Sequence, residues 1–323
     1  MLVMRIYTLW AAILLLMSTD ATAATIKAEA INAAEFTGGA LPDGQSALTA
    51  KVQILLDRHH ASPGVIDGYS GSNVDKAIRG AEAMFGLDKD GVLDADLWKR
   101  ISAEQSPAII RYTITEDDVA DIATDLPDDY AELAQLEWIG FTSVAEKIAE
   151  TFHMDLDFLS QLNPDANFSE VGEKIWVSDT GGSANKDVAR IVVDKKTQRL
   201  LAFDPDNEIV AAYPVTIGSD SLPSPAGQME VTAVAIEPTY SYRPEVNFKQ
   251  GENDEELTLP PGPNGPVGLV WIDLSKPTYG LHGTPEPAEI DKTFSHGCVR
   301  LTNWDAYELA NLVSPGVPVE FVE

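Results

Sequence analysis

Ser295-His296-Gly297-Cys298-Val299-Arg300-Leu301 contains the single cysteine of a 323-residue chain. Fourteen residues before His296 stands His282, followed by Gly283, so two of the five histidines lie near one thiol in the chain. A thiol is a weak nucleophile until it ionises, and a neighbouring imidazole is the commonest device for ionising it. The glycine before the cysteine lets backbone N–H groups approach a reacting carbonyl closely, which acyl transfer requires. The stretch therefore points to a cysteine acyltransferase. On spacing alone, either His282 or His296 can serve as its base.

The start of the chain and its composition restrict where such chemistry operates. Arg5 precedes an apolar run from Ile6 to Met17, broken only by Tyr7 and Thr8, and Ala21-Thr22-Ala23 fits a small-x-small cleavage site. Residues 1–23 thus read as an export signal. The run is short of the roughly 20 residues of a membrane span, so no integral span is expected after cleavage. No cysteine lies near the cleavage site to take a lipid anchor. With one cysteine the exported chain forms no internal disulfide, and an unpaired thiol in an oxidising compartment is a liability unless chemistry uses it. A formal charge of −29 argues against nucleic acid or an anionic membrane surface as partner. The length suggests two or three domains.

Residues 32–105 read as a small helical domain. Leu48, Val52, Leu55 and Leu56 follow helical spacing, as do Val74, Ala77, Ile78, Ala81 and Phe85. A third helix starts at the N-cap Asp94 and carries Leu97, Trp98 and Ile101. Ser62-Pro63-Gly64-Val65-Ile66-Asp67-Gly68 reads as a rigid turn between the first two. Together with Leu55-Leu56, Lys76-Ala77-Ile78, Phe85-Gly86-Leu87 and Asp90-Gly91-Val92-Leu93-Asp94, these residues resemble the three-helix peptidoglycan-binding domains of cell-wall enzymes. His59-His60 has no further ligands in sight and reads as a solvated pair, not a metal site.

Residues 116–137 hold nine acids and no lysine or arginine, the composition of a solvated face or loop. The surrounding segment, 110–178, reads as β-α-α-β. Tyr112-Thr113-Ile114 opens it, and a Ser143/Glu146 capping box starts a helix bearing Val144, Ile148 and Phe152. Asp155 caps a second helix with Phe158, Leu159 and Leu162, which Asn163-Pro164 stops, and Lys174-Ile175-Trp176-Val177 closes the unit as a strand. This resembles LysM domains, which bind glycans containing N-acetylglucosamine. LysM domains pass directly from the first strand to the helix, whereas here the acidic stretch intervenes, so glycan binding and a spacer role both stay open. Residues 179–187, with Thr180-Gly181-Gly182-Ser183, have the composition of a flexible linker.

From 188 to 323 the pattern is β. Strands are expected at Arg190–Asp194, Leu200–Phe203, Ile209–Ile217 and Met229–Ile236, in a mostly antiparallel sheet that is sandwiched or barrel-like. Residues 251–266 turn from acidic to Pro/Gly-rich, as a long loop or lid does. One helix, Asn303 to Val313, precedes a last strand, Val317 to Val322.

Four elements in this region carry a second resemblance: Ser224-Pro225-Ala226-Gly227, Pro261-Gly262-Pro263-Asn264-Gly265-Pro266-Val267-Gly268, Tyr279-Gly280-Leu281-His282-Gly283-Thr284 and the opening stretch. They resemble the L,D-transpeptidase catalytic domain, also called the YkuD domain, over 188–323. The resemblance implies Cys298 as nucleophile and His282 as general base, oriented by the Gly283 carbonyl. It implies that His296 and Gly297 shape the cysteine loop, whose N–H groups with that of Cys298 form an oxyanion hole. Arg300, Ser295 and Tyr279 are then substrate-binding.

The implied reaction is acyl transfer on peptidoglycan stem tetrapeptides through a Cys298 thioester, in the bacterial periplasm or cell wall. The implied partners are stem peptides and glycan strands, with a covalent carbapenem adduct expected at Cys298. Water as acceptor makes the same site a carboxypeptidase or a cross-link-cleaving hydrolase, and a lipoprotein amine makes it an attachment enzyme. No cofactor is expected. A metal held by His282, His296 and Cys298 is disfavoured, because no His-Glu-x-x-His motif is present.

Overall fold

A computed structural model describes residues 26–123, 125–246 and 248–323. The expected export signal lies outside the described residues.

The first unit is helical: α1 (Ala28–Ala33), α2 (Ala47–Arg58), α3 (Ser72–Phe85) and α4 (Ala95–Ile101). Ser46 caps α2 by accepting from the Thr49 N–H, and Asp94 caps α4 by accepting from that of Leu97. Gly86 ends α3 at φ 67°, a left-handed turn that glycine adopts without a Cβ penalty. Val52, Leu55, Leu56, Val74, Ala77, Ile78, Ala81, Leu97 and Ile101 form one core, as the helical spacing requires. The 62–68 turn does more than reverse the chain. Ala61 and Ile66 bridge in parallel to Ala212 and Met154 respectively, so this segment touches both later units.

The second unit pairs β1 (Ile109–Thr113) antiparallel with β2 (Lys174–Ser178), Ile109 opposite Ser178. Between them run α5 (Glu116–Val119), α6 (Tyr130–Leu133), α7 (Val144–Thr151) and α8 (Leu156–Leu162). Ser143 caps α7 by accepting from the Glu146 N–H, but the reciprocal half of the expected capping box is missing. Glu146 reaches one residue further, accepting from Thr142, while its other oxygen accepts from the Asn264 side chain. The full capping box is at Thr115 and Asp118 instead. The acidic stretch also departs from a plain solvated loop. Its Leu126, Tyr130 and Leu133 join Ile139, Tyr242 and Leu259 in a small core against the third unit.

The third unit contains β3 (Arg190–Asp194), β4 (Arg199–Phe203), β5 (Ile209–Pro214), β6 (Gly227–Ile236), β7 (Tyr240–Tyr242), β8 (Leu257–Leu259), β9 (Val270–Leu274), β10 (Gly280–His282), β11 (Val299–Arg300), α9 (Asn303–Leu312) and β12 (Pro318–Val322). Eight of these strands form one sheet in the order β11-β10-β9-β6-β12-β3-β4-β5, while β7 and β8 form a separate hairpin over it. Pairing is antiparallel except β10–β11 and β12–β3. The chain just beyond β5 turns back to β11, where Thr216 and Arg300 exchange both backbone hydrogen bonds. The sheet therefore curls until its two ends meet, at the residue two positions after the cysteine. Inside the curl, α9 buries Ala306, Leu309 and Leu312 on Ile272, Leu281 and Val319. The outer edge of β5 is covered by the Ala61 segment and by α3, whose Gly80 leaves room for Arg199 and Ala212. An uncovered strand edge would invite pairing with other chains.

Polar seams join the units. His153 Nδ1 contacts Asp57 Oδ2 at 2.6 Å, and its ring stacks on Trp304 at 5.1 Å. His60 meets Glu308 at 3.0 Å, and Ser62 donates to Asp305 at 2.9 Å. The 179–187 segment is stapled across the seam, its Asp179 carbonyl taken by Arg58 and its Ala184 N–H by Glu308. His59, by contrast, lies edge-on to Phe85 with its Nε2 at the Ile101 carbonyl, so the two adjacent histidines serve different partners. Among the described residues no group of histidines, cysteines and acids is arranged to hold a metal ion, and no helix is long and apolar enough to cross a membrane.

Burial pushes the Glu150 carboxyl up to about 8 from an ordinary value of 4.5. The folded chain thus binds this proton more tightly than the unfolded chain does. Stability is lost as pH rises from the unfolded value through the folded one, at about 1.4 kcal/mol per unit. Melting temperature is accordingly expected to fall between about pH 5.5 and 8.5 by more in the wild type than in Glu150→Gln. Equal slopes would show that Glu150 is not a buried, proton-holding group.

Candidate active site

Strand register assembles the site. In the parallel pair β10–β11, Leu281 lies opposite Val299 and His282 opposite Arg300. On the other side His282 lies opposite Trp271 of β9. Side chains alternate along a strand, so His282 and Arg300 emerge on one face, and Cys298, just before β11, belongs to the same face. Cys298, His282, His296, Arg300, Ser295 and Tyr279 all line one cavity of about 400 Å³. Gly283 and Gly297 form parts of its frame. A Cβ on Gly297, at φ 116°, would come within 2.9 Å of the Tyr279 ring.

The His282 ring is buried and stacked on Trp271 at 5.5 Å. Its Nδ1 donates to the Gly283 carbonyl at 2.7 Å, which leaves Nε2 as the bare, proton-accepting nitrogen. Burial, followed by the Arg300 charge, pushes its pKa down to about 4, against the opposing effect of the Gly283 bond. Burial also pushes the Cys298 thiol up, opposed by a backbone hydrogen bond with Gly280 and by Arg300. Burial thus favours the uncharged form of both groups. The Sγ proton is directed at the Thr278 carbonyl, 3.7 Å away. Thr278 has φ 71°, a conformation costly for a β-branched residue and typical of functional loops.

His296 is placed differently. It is exposed, stacks on Phe248 at 4.6 Å under the hairpin, and has its pKa lowered by partial burial and then by Arg300. Ser295 braces the loop, donating to the Cys298 carbonyl at 2.5 Å and accepting from the Gly297 N–H at 3.0 Å. The Gly297 N–H is thus already used, a departure from the expected oxyanion hole. The loop amides without an acceptor among the described residues are those of His296 and Cys298. Arg300 has no ion-pair partner among the described residues, although the chain is strongly acidic.

The structure adds residues that sequence reading passes over. Tyr130, from the acidic stretch, lines the same cavity and lies edge-on to Tyr242 at 5.2 Å and to Phe248 at 6.2 Å. Trp271 and Thr278 contact His282 and Cys298 respectively. No local pattern around any of the three signals a site.

Residues 188–321 match the family described as the L,D-transpeptidase catalytic domain, and residues 45–101 match a peptidoglycan binding domain family. A Bacillus licheniformis protein named L,D-transpeptidase YkuD is 31% identical over 178 residues, covering 54% of this chain and 90% of that protein. The Escherichia coli L,D-transpeptidase ErfK/SrfK is 30% identical over 136 residues, covering 41% of this chain and 44% of its own length. Among solved structures, an L,D-transpeptidase from Mycobacterium smegmatis aligns with 48% of this chain and 75% of that one, at TM-score 0.35 and 17% identity.

Ser295→Ala removes both hydrogen bonds that brace the cysteine loop. It is expected to lower the rate of Cys298 acylation about tenfold to a hundredfold, with a stability loss of about 1–2 kcal/mol. Wild-type acylation in a folded Ser295→Ala protein, followed by intact-protein mass, would remove Ser295 from the site.

Proposed function

The chain belongs to the L,D-transpeptidase (YkuD) family of acyltransferases, and we propose that it is an exported enzyme that cross-links peptidoglycan stem tetrapeptides through a thioester on Cys298. The observation that carries this reading is one face of one cavity. It presents a thiol, an imidazole with Nε2 bare, and a guanidinium without an acidic partner among the described residues. A stem peptide supplies the matching parts: a carbonyl to attack, an amine to release and carboxylates to pair with Arg300.

In the proposed first step, Nε2 of His282 takes the Cys298 proton as Sγ attacks the carbonyl between the L-centre and the terminal D-alanine. The His296 and Cys298 N–H groups receive the developing oxyanion. Collapse returns the proton from Nε2 to the departing D-alanine amine and leaves the thioester. In the second step an amine of a neighbouring stem attacks the thioester, His282 takes its proton, and that proton returns to sulfur as the new amide forms. Because burial favours the neutral form of both partners, charge develops only once substrate is bound, and apo hydrogen bonds tighten in the complex. Ser295 and Gly297 hold the loop, Gly283 holds the base, and Tyr279 borders the substrate cavity.

The proposed division is an export signal at 1–23, a peptidoglycan-binding unit at 32–105, a LysM-like unit at 110–178, a connector at 179–187 and the catalytic domain at 188–323. The two forward units would hold the enzyme on glycan strands in the periplasm or cell wall and raise the local stem-peptide concentration. Hydrolysis of the thioester by water is the competing outcome at the same atoms.

Cys298→Ala is expected to abolish both transpeptide and trimmed products from disaccharide tetrapeptide while leaving binding to insoluble peptidoglycan unchanged. Retained turnover would end the thiol mechanism. Arg300→Ala is expected to raise KM for tetrapeptide about tenfold to a hundredfold, the loss of one charge-assisted contact. Chromatography of the products separates cross-linked dimer, the expected result, from trimmed monomer, which would assign hydrolysis instead. Incubation with a carbapenem should add its mass at Cys298 and none in Cys298→Ala.

A further inference from the structure

Asn303 opens α9 and is 2% exposed, and its carboxamide is divided among three chain segments. Nδ2 donates to Glu150 Oε2 at 2.9 Å and to the Pro263 carbonyl at 3.2 Å, while Oδ1 accepts from the Leu269 N–H at 3.1 Å. The same Oδ1 occupies the space left by two missing side chains. A Cβ on Gly283 would lie 2.2 Å from it and one on Gly268 2.0 Å from it. Asn303 is thus packed onto the residue whose carbonyl binds the His282 Nδ1–H. It does not itself border the cavity that holds the thiol. A flipped amide would set Nδ2 against the Leu269 N–H and Oδ1 against the Pro263 carbonyl, so its orientation is over-determined.

The remaining partner, Glu150, comes from α7 in a different unit, 153 residues away in the chain. Only the docking of α7 against α9 brings it there.

We propose that Asn303 and Glu150 are positioning residues for the base: Glu150 locks the Asn303 carboxamide, and Asn303 holds Gly283 where its carbonyl keeps His282 in the Nδ1–H form. The proposal rests on the reading of His282 as base. It makes the β-α-α-β unit a working part of the active site, beyond any part in holding the enzyme on the wall.

The groups facing the two ends of this chain are distinct. His282 is faced by Arg300 from β11, by Cys298 and His296 from the cysteine loop, and by Tyr279 and Glu286 across the cavity. Glu150 is faced by Glu146 on its own helix and shares a cavity with Lys147 of α7, Asp57 and His60 at the end of α2, His153 beyond α7, and Asp305 and Glu308 of α9. Glu150 accepts as a neutral carboxyl near pH 7, since burial holds its proton to about 8. Glu150→Gln keeps a neutral acceptor in the same place.

The test uses the full chain with 15N-labelled histidine. Two-bond 15N–1H correlation spectra report which ring nitrogen carries the proton, and His282→Ala identifies the His282 signal. The wild type is expected to show the Nδ1–H tautomer and to titrate near 4. Asn303→Ala and Glu150→Ala should each mix the tautomers and move the titration upward, because water entering a loosened site removes the burial that depresses it. Each should lower kcat/KM at least about tenfold, chiefly through kcat, and Glu150→Gln should recover most of the loss. Variants that melt as the wild type does, yet keep the Nδ1–H tautomer and its titration, overturn the proposal. Should Glu150→Ala fail to fold, Asn303→Ala and Glu150→Gln decide it by the same spectra. Full acyl transfer by His282→Ala would overturn the base assignment instead, a result separable from the tautomer measurement.

Discussion

In the proposed mechanism, the hydrogen bond from His282 Nδ1–H to the Gly283 carbonyl is the constraint on which the site's chemistry depends. A neutral imidazole has one donor and one acceptor, and committing the donor decides where the acceptor points. A backbone carbonyl makes this commitment without adding a charge. A carboxylate in the same position would raise the pKa of the ring and favour imidazolium. Here burial and Arg300 hold the ring neutral, and the main chain selects its tautomer. Everything around that bond serves its geometry: the β10–β11 register, the Trp271 stack, and the absence of side chains at Gly268 and Gly283, into which Asn303 fits.

The surrounding units bear on this centre more closely than a chain of separate modules would. Acids and histidines from all three units meet in one seam, where Asp57 partners His153 and Glu308 partners His60. Burial alone would raise the Glu308 carboxyl, but hydrogen bonds from His60, Ala184 and Tyr213 bring it below its ordinary value. Asp305 and Glu150 lack such cationic help, and burial raises both. A seam of this kind is specific in its alignment and weak in net energy, since buried polar groups recover little beyond their desolvation. It suits an interface that must set an orientation accurately. The hairpin over the site is held in the same way. Ile139 of the second unit exchanges backbone bonds with Pro261 and Asn264, and Gly262 sits where any Cβ would strike the Ile139 carbonyl.

What the sequence disclosed follows the range of the interactions. The helical caps at Ser143, Asp94 and Asp155, the cysteine loop and the His282-Gly283 pair are all settled within a few residues, and local pattern exposes them. The expected capping box at Glu146 is not closed because its two oxygens have other donors: Thr142, one residue before the cap, takes one, and Asn264, 118 residues away, takes the other. The acidic run concealed Tyr130 and Leu133 because composition averages over a window, whereas packing selects individual side chains. The expected use of the Gly297 N–H in an oxyanion hole meets a competitor that proximity in sequence does not reveal, since Ser295 Oγ turns back to accept from it. Thr278 carries no signal at all. Its left-handed backbone is visible only once Tyr279 and Lys276 have closed the turn around it.

The burial that favours the neutral forms of Cys298 and His282 bears on the life of the enzyme as well as on its turnover. Peroxides attack thiolates, carrying them to sulfenic and then irreversibly to sulfinic and sulfonic acids, whereas a protonated thiol reacts slowly. A site that stored a ready thiolate would be consumed between substrates, and with one cysteine in the whole chain it would have no resolving partner to rescue it. On the proposed thiol mechanism, the surroundings of Cys298, which favour the protonated thiol, would give up some idle reactivity for durability. On that mechanism the sulfur would be vulnerable only in the moments when a substrate already covers it.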